Sequence, residues 1–149
     1  MYAPKNLPPE KIAALIDAAF SARTFAYIPY SGFAVGAALL CRGGEIYTGC
    51  NIENAAYSVA NCAERTALFK AVSEGHRVFH AIAIVGGKLD LPIPLPHDCF
   101  PCGVCRQALF EFSPQMTVIA ARSTEIYRLY PLSDILPNAF GLRPNPQTF

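Results

Sequence analysis

The chain has 149 residues, of which 52% are hydrophobic and 15% charged, with a net charge of +1. This length suits one domain over residues 1–149 that can bury a core without cross-links. The near-neutral charge argues against a nucleic acid polymer as partner, and no apolar run approaches the ~20 residues of a membrane span. Because charged residues fall below the usual share of about a quarter, we expect a homo-oligomer with apolar surface between its subunits.

Helical and strand patterns alternate along the chain. Ile12, Leu15, Ile16 and Ala19 recur at helical spacing after Pro9, and continuous apolar runs mark the strands. In chain order the patterns predict helix, strand, strand, helix, strand, helix, strand, strand and a short helical turn, over residues 8–22, 33–40, 46–52, 60–74, 78–85, 101–113, 116–122, 126–132 and 134–136. We therefore predict an α/β fold, a three-layer α/β/α sandwich with a central mixed sheet of about five strands.

A proline-rich loop over residues 86–101 separates two of these elements. Prolines alternate with aliphatic residues in Leu91–Pro96, which gives an extended and stiff segment. Such a segment would expose apolar side chains unless something covers it. We expect this loop to pack at a subunit contact or to rim the functional pocket.

The cysteines indicate a metal site. No apolar stretch of signal-peptide length follows Met1, so we expect a cytoplasmic protein with reduced thiols. In a reducing compartment, clustered cysteines favour metal binding over disulfides. Cys41 and Cys50 lie on predicted strands, where small buried thiols are common. The four remaining cysteines are Cys62, Cys99, Cys102 and Cys105.

Three of these thiols and one carboxylate predict a catalytic zinc site. Cys62 begins one predicted helix, and Cys102 and Cys105 lie one turn apart at the start of another. Three thiolates suit one tetrahedral Zn²⁺ per subunit and leave its fourth position open, and the positive helix ends would favour the ionised thiols. Glu64, two residues beyond Cys62, can approach the open face and move protons on and off a water molecule that the zinc activates.

Neighbouring residues refine this prediction and leave alternatives. Arg65 and Arg106 each adjoin a motif residue and could donate to the cysteine sulfurs, which would preserve the acidity of the zinc. Cys99 could complete a four-cysteine structural zinc site, or the cysteines could hold an iron–sulfur cluster. An open site would be catalytic, whereas a closed one would be structural.

The motifs Cys62-Ala-Glu-Arg-Thr-Ala67 and Pro101-Cys-Gly-Val-Cys-Arg-Gln107 resemble those of the small, homotetrameric cytidine deaminases. The likeness also includes the segments Tyr30-Ser-Gly-Phe33-Ala-Val-Gly-Ala-Ala-Leu39, Gly49-Cys-Asn51-Ile-Glu53-Asn-Ala-Ala-Tyr57 and Leu136-Pro-Asn-Ala-Phe140. It implies a cytidine deaminase-like fold and the zinc-dependent hydrolysis of cytidine and 2′-deoxycytidine to uridine, 2′-deoxyuridine and ammonia, a reaction of pyrimidine salvage. The matched cysteines would bind zinc and the matched glutamate would be the proton shuttle.

The resemblance assigns further residues to the nucleoside. Asn51 and Glu53 would hold the ribose hydroxyls; at the end of one strand, two residues apart, they point to the same side. The same pair is also typical of a turn that caps the next element. Phe33 would pack on the pyrimidine ring, although a Phe that opens an apolar strand is often a core residue. The backbone of Ala63 would contact the base near its reacting carbon.

Other matched residues would act between subunits. The resemblance implies that Ala55, Tyr57 and Phe140 reach into a neighbouring subunit's site, so that a homotetramer shares its active sites. Phe100 departs from the family pattern, which commonly has Ser at this position, and the loop before it is longer than usual.

Two other functions remain open. One is a structural zinc module that includes Cys99. The other is a related deaminase with a different substrate, such as a free base or blasticidin S. The ribose pair argues against a free base, and Arg65-Thr66 resembles the nucleoside enzymes rather than the blasticidin one.

Overall fold

The computed structural model describes residues 7–141, and the expectation about a leader after Met1 lies outside them. The predicted succession of elements is confirmed, although α2 begins later than expected because the preceding residues form a 3-10 turn, Tyr57–Val59, and an extended link. The elements are α1 (Pro9–Arg23), β1 (Ala34–Cys41), β2 (Ile46–Cys50), α2 (Ala63–Ser73), β3 (Phe79–Gly87), α3 (Gly103–Phe110), β4 (Thr117–Ala121), β5 (Tyr127–Pro131) and α4 (Leu132–Ile135).

The five strands form one mixed sheet in the order β2-β1-β3-β4-β5. β3 and β4 are parallel, and the other neighbouring strands are antiparallel. A parallel pair needs a crossover connection, and here the crossover consists of the proline-rich loop and α3. The predicted mixed sheet is therefore confirmed, and its crossover brings the second cysteine motif to the first.

Helices cover both faces of the sheet. On β1, Ala37 and Leu39 belong to the core that contains α2, α3 and α4, whereas Ala38 and Leu40 belong to the core that contains α1. This alternation follows from the two-residue period of a strand, and it gives the predicted three-layer sandwich. None of the helices within residues 7–141 combines the length and apolar character needed to cross a lipid bilayer.

The proline-rich loop is anchored to its own chain. Leu95 is fully buried in the core beneath α1. Its amide donates to the Arg122 carbonyl at 2.9 Å, and the Arg122 Nε donates back to the Leu95 carbonyl at 2.5 Å. Asp98 pairs with Arg128 at 3.4 Å. The loop therefore contributes one residue to the core and enters α3 from a fixed position beside β4.

A buried arginine joins α1 to the sheet. Arg23 is only 5% exposed. Its guanidinium donates to the carbonyl oxygens of Ala34, Gly87 and Lys88 at 3.2, 2.9 and 2.5 Å, and desolvation lowers the pKa of its side chain. These bonds fasten α1 to the start of β1 and to the end of β3. Both strand ends lie at the end of the sheet nearest the proline-rich loop.

Truncation of Leu95 tests the anchor. Leu95→Ala should lower the free energy of unfolding by about 2–5 kcal/mol because it removes a fully buried side chain. Leu89→Ala, at a loop position that is 50% exposed, should change it by no more than about 0.5 kcal/mol. Urea denaturation of both variants measures the difference. Equal stabilities would contradict the anchoring role of Leu95.

Candidate active site

Two helix starts bring three cysteine sulfurs together. Cys62 immediately precedes α2, Cys102 immediately precedes α3, and Cys105 lies in the first turn of α3. The Sγ atoms of Cys62 and Cys102 are 3.8 Å apart, and those of Cys102 and Cys105 are 3.5 Å apart. All three lie within 4.8 Å of one another.

This spacing fits a zinc ion. Zn–S bonds of about 2.3 Å in tetrahedral geometry place sulfurs about 3.8 Å apart, close to the separations observed. Both helices also direct their positive N-terminal ends toward the sulfurs, which favours thiolates. Cys62, Cys102 and Cys105 are therefore positioned to bind one metal ion and leave its fourth coordination position for another ligand.

The charges around Cys62 favour its thiolate. Hydrogen bonding with Cys105, together with Arg65 and Cys102, lowers the pKa of Cys62 to about 5, although partial burial opposes this shift. Arg65 donates from Nη2 to the Cys62 sulfur at 3.7 Å. The hydrogen bonding between Cys62 and Cys105, together with burial, raises the pKa of Cys105. A metal ion bound by these cysteines would displace their remaining thiol protons.

Glu64 lies in the first turn of α2 and is only 3% exposed. Desolvation raises the pKa of its carboxyl to about 7, with a smaller contribution from the charge of Cys62. A dication at the cysteines would oppose that rise. Glu64 lines the same pocket as Cys62 and Cys102. A buried carboxyl that titrates near neutral pH can both take and return a proton.

Cys99 lies apart from the three ligand candidates. A Cβ atom built on Gly86 would lie 2.5 Å from the Cys99 sulfur, which shows that this thiol packs against the end of β3. Burial raises its pKa to about 12, as do the nearby charges of Glu64 and Cys62. Within residues 7–141, the sulfurs of Cys62, Cys102 and Cys105 form a group close enough to hold one ion, and Cys99 is not part of that group. The geometry therefore favours the open site over the four-cysteine alternative.

A pocket of about 220 Å³ opens in front of these groups. It adjoins a second hollow of about 390 Å³, with which it shares Glu53 and Ala60; that hollow also includes Tyr30 and Tyr57. Together they could admit a base at the cysteines and a sugar further out. The first pocket is lined by Val35, Asn51, Ile52, Glu53, Ala60, Asn61, Cys62, Ala63, Glu64, Cys99, Phe100 and Cys102.

Asn51 and Glu53 line the pocket and also hold one of its walls. Asn51 donates from Nδ2 to the Phe33 carbonyl at 2.9 Å, and its Oδ1 accepts from the Val35 amide at 2.8 Å. Glu53 Oε2 accepts from the amides of Tyr30 and Ser31 at 2.9 and 3.3 Å.

Hydrogen bonds from Ser31 and Tyr30 hold the pKa of Glu53 below its ordinary value. A carboxylate has about four acceptor sites, and an amide has several donor and acceptor sites. Both side chains can therefore support the wall and still bind a hydroxyl.

The structure places the other predicted residues as follows. Phe33 is 43% exposed, with its ring edge beside Gly86, the residue against which Cys99 packs. Tyr57 and Phe140 are 78% and 69% exposed, and Ala55 is exposed as well. These last three residues face outward from the chain rather than into the pocket beside Glu64.

The expectation that Arg106 donates to a cysteine sulfur is corrected by the structure. Its guanidinium donates to the carbonyl oxygens of Pro101 and Ile135 at 2.7 and 2.6 Å. Arg106 therefore fastens the start of α3 to the end of α4. The position of Arg106 next to Cys105 does not indicate this contact, because Ile135 lies 29 residues further along the chain.

Two features that hold Cys62 were not recognised in the sequence. Asn61 donates to the Thr66 hydroxyl at 3.1 Å, and that hydroxyl donates to the Cys62 carbonyl at 3.2 Å. A Cβ atom at Gly49 would lie 2.4 Å from the Ala63 carbonyl oxygen. The backbone of β2 thus touches the first turn of α2. A glycine inside a predicted strand was the available signal, since it often marks a close backbone approach.

The chain is similar to known proteins in sequence and in fold. The family model described as cytidine and deoxycytidylate deaminase zinc-binding region matches residues 9–121. A cytidine deaminase of Halalkalibacterium halodurans is 48% identical over 127 residues, which are 85% of this chain and 91% of that protein. A cytidine deaminase of Sporosarcina psychrophila is 48% identical over 128 residues, 85% of this chain and 89% of that protein. The crystal structure of cytidine deaminase from Burkholderia pseudomallei superposes with a TM-score of 0.76 at 45% identity, and the match covers 85% of this chain and 97% of that one.

A mixed sheet between helices, with three cysteines and a buried glutamate at two helix starts, defines a zinc-dependent hydrolase. The chain belongs to the cytidine and deoxycytidylate deaminase family. Zinc is its cofactor, and Cys62, Cys102 and Cys105 are positioned to bind it. The predictions of family, enzyme class and cofactor are confirmed.

Serine substitutions separate the open site from the four-cysteine alternative. Cys102→Ser should lose bound zinc because it removes one of three thiolates. Cys99→Ser should keep one zinc per chain because Cys99 lies outside the set. Elemental analysis of both purified variants checks this, and loss of zinc from Cys99→Ser would overturn the assignment.

Gly49→Ala tests the contact between β2 and α2. Its methyl group would collide with the Ala63 carbonyl and with the Ala67 amide, 2.4 and 2.5 Å away. The first turn of α2 should shift, with a loss of activity on the order of 10²-fold and weaker zinc retention. Gly103→Ala is the matched control, because a Cβ there meets nothing within 4 Å. Steady-state kinetics and zinc content measure both, and similar behaviour of the two variants would contradict the contact's importance.

Proposed function

We propose that the protein hydrolyses cytidine and 2′-deoxycytidine to uridine and 2′-deoxyuridine with release of ammonia. The observation that carries this proposal is the buried Glu64 carboxyl beside three convergent cysteine sulfurs, in a pocket that also contains Asn51 and Glu53. The first group of residues supplies hydrolytic chemistry and the second supplies partners for a sugar. The reaction would place the enzyme in pyrimidine salvage, in the cytoplasm.

Glu64 moves the protons. Cys62, Cys102 and Cys105 would hold the zinc, which when bound lowers the pKa of a water molecule and so supplies a nucleophile at neutral pH. The Glu64 carboxylate would accept a proton from the attacking water as the water oxygen bonds to C4 of the cytosine. The Glu64 carboxyl would then protonate N3, and it would later transfer the proton of the new C4 hydroxyl to the exocyclic amino group, which leaves as ammonia. One carboxyl group can perform both transfers, because it gains a proton in the first step and gives it up in the second.

The arginine and the helix ends control the charge of the site. Three thiolates donate strongly to a zinc ion and would reduce its acidity. Arg65 places a cationic donor on the Cys62 sulfur, and the N-termini of α2 and α3 add partial positive charge. These groups withdraw electron density from the thiolates and would so preserve the Lewis acidity of a zinc ion held by them.

Asn51 and Glu53 recognise the ribose in this proposal. The amide offers both a donor and an acceptor, and the carboxylate accepts from a hydroxyl. Their fixed bonds to the wall of residues 30–35 orient them before the substrate arrives. Phe33 would pack on the pyrimidine, and the backbone of Ala63, which lines the pocket, would contact the base.

Subunits share active sites in the proposed homotetramer. Ala55, Tyr57 and Phe140 project from the surface, and the rings of Tyr57 and Phe140 are 78% and 69% exposed. Tyr57 packs edge-on against Tyr30 at a centroid distance of 6.2 Å, beside the outer hollow. Apolar surface of this kind next to a pocket favours burial by another chain. The three residues would complete a neighbouring subunit's site.

Glu64→Gln tests the proton shuttle. The variant should retain zinc and lose kcat by a factor on the order of 10² to 10⁴ because the amide cannot transfer a proton. Glu111→Gln, an exposed position at the end of α3, should keep wild-type kcat. Ammonia release and zinc content are measured on the same samples. A Glu64→Gln enzyme with wild-type kcat would refute the assignment.

Mixed oligomers test the sharing of active sites. Glu64→Gln and Phe140→Ala should each show low activity as homo-oligomers. If Phe140 acts on a neighbouring site, co-expressed chains should form some sites with both residues intact, and activity should exceed that of either variant alone. Light scattering on the same preparations gives the oligomer mass. A mixture no more active than its components, or a monomeric mass, would contradict shared sites.

A further inference from the structure

A second group of potential metal ligands lies at the far end of β1. Val35, near the start of this strand, lines the active-site pocket, whereas Cys41 ends it. Glu45 lies in the turn between β1 and β2, and His76 follows the end of α2. The Cys41 sulfur, a Glu45 carboxylate oxygen and a His76 ring nitrogen all lie within 4.8 Å of one another.

The three side chains lie close together but form no hydrogen bonds with one another. Cys41 is completely buried, His76 is half-buried and Glu45 is exposed. The His76 ring packs on Tyr47 with centroids 5.2 Å apart. Within residues 7–141, no hydrogen bond or ion pair joins the Glu45 carboxylate or the His76 ring to another side chain. Within the described part of the chain, the Glu45 carboxylate and the His76 ring therefore have no side-chain partner and remain available to bind an ion.

The surroundings are negatively charged. Tyr47 donates its hydroxyl to Glu74 Oε2 at 2.5 Å, and this bond raises the pKa of Tyr47 to about 12, with further contributions that include the charges of Cys41 and Glu45. Burial and the charge of Glu45 raise the pKa of the Cys41 thiol to about 11.

Arg42, Lys70 and Arg77 are the cationic side chains nearest in sequence. Arg42 is exposed, and the other two are engaged elsewhere. Lys70 donates to the Thr48 carbonyl, and Arg77 donates to the carbonyls of Val72 and His76. No arginine or lysine within residues 7–141 forms an ion pair with Glu45 or Glu74. The Glu45 and Glu74 carboxylates therefore have no direct ion-pair partner among the described residues, and a bound cation would supply one.

We propose that Cys41, Glu45 and His76 form a second metal site, specific for a divalent ion of the zinc class. Thiolate and imidazole ligands select zinc, cobalt or nickel, whereas magnesium and calcium prefer oxygen ligands alone. Zinc accepts sulfur, nitrogen and carboxylate oxygen in one tetrahedron, and the exposed turn leaves its fourth position to water. The ion would tie the β1–β2 turn to the end of α2. Binding would displace the thiol proton.

Cobalt binding to the zinc-loaded enzyme tests this site. With the active-site cysteines occupied by zinc, added Co²⁺ should bind as one further equivalent per chain and produce a thiolate-to-cobalt charge-transfer band. Glu45→Gln and His76→Gln should weaken this binding at least about tenfold because each removes one of three ligands. His80→Gln, an exposed histidine on β3, should bind like the wild type.

A second readout separates the new site from a folding defect. Added Zn²⁺ should raise the melting temperature of the zinc-loaded wild type and of His80→Gln, because a ligand of the native state stabilises it. It should not raise that of His76→Gln, whose deamination activity should equal that of the wild type. The absence of a saturable second equivalent in the wild type would overturn the proposal. So would a charge-transfer band in Glu45→Gln and His76→Gln that is as strong as in the wild type.

Discussion

Three cysteine sulfurs and a buried glutamate share one small volume, and the charge of this group constrains the rest of the structure. Four ionisable groups of one sign repel one another in a medium of low dielectric constant. The protein opposes that repulsion with Arg65 on the Cys62 sulfur and with the N-termini of α2 and α3. A zinc ion completes the balance. Desolvation raises the pKa of Glu64, whereas hydrogen bonding with Cys105 and Arg65 lowers that of Cys62.

The fold supplies the rigidity that such a site requires. α2 is held against β2 by backbone contact at Gly49, and α3 is held by Arg106 and by a loop anchored in the core through Leu95. The two helix starts meet only because the crossover between β3 and β4 returns the chain to the same side of the sheet. Catalytic geometry therefore depends on contacts outside the pocket, including several that never approach a substrate.

Local patterns in the sequence predict most of the fold and the group of three cysteines and one glutamate. Helical spacing predicted α1, because the buried Ile12, Leu15 and Ile16 lie on one face, and the spacing of the cysteines predicted the zinc site. The contacts that remained hidden join distant parts of the chain. Arg23 bonds to carbonyls at the end of β3, and Arg106 bonds to the end of α4. Residue type alone does not identify such partners.

The second group of potential ligands, Cys41, Glu45 and His76, is also brought together by contacts between distant parts of the chain. A buried Cys41 on a strand is typical of a core residue, and no pattern in the sequence indicates that His76 lies beside it. Only the packing of the end of α2 against the turn after β1 shows that proximity. Asn51 and Glu53 illustrate the intermediate case. Their place at a strand end indicated a polar pair, and the structure adds that both brace residues 30–35.

The most direct test of zinc-dependent nucleoside deamination is ammonia release by the purified enzyme, with zinc measured on the same sample before and after chelation and reloading. The substrates are cytidine, 2′-deoxycytidine, CMP, cytosine and blasticidin S. We expect ammonia release from the two nucleosides, in proportion to bound zinc, and none from cytosine. Turnover of cytosine or blasticidin S in place of the nucleosides, or full activity without zinc, would contradict it.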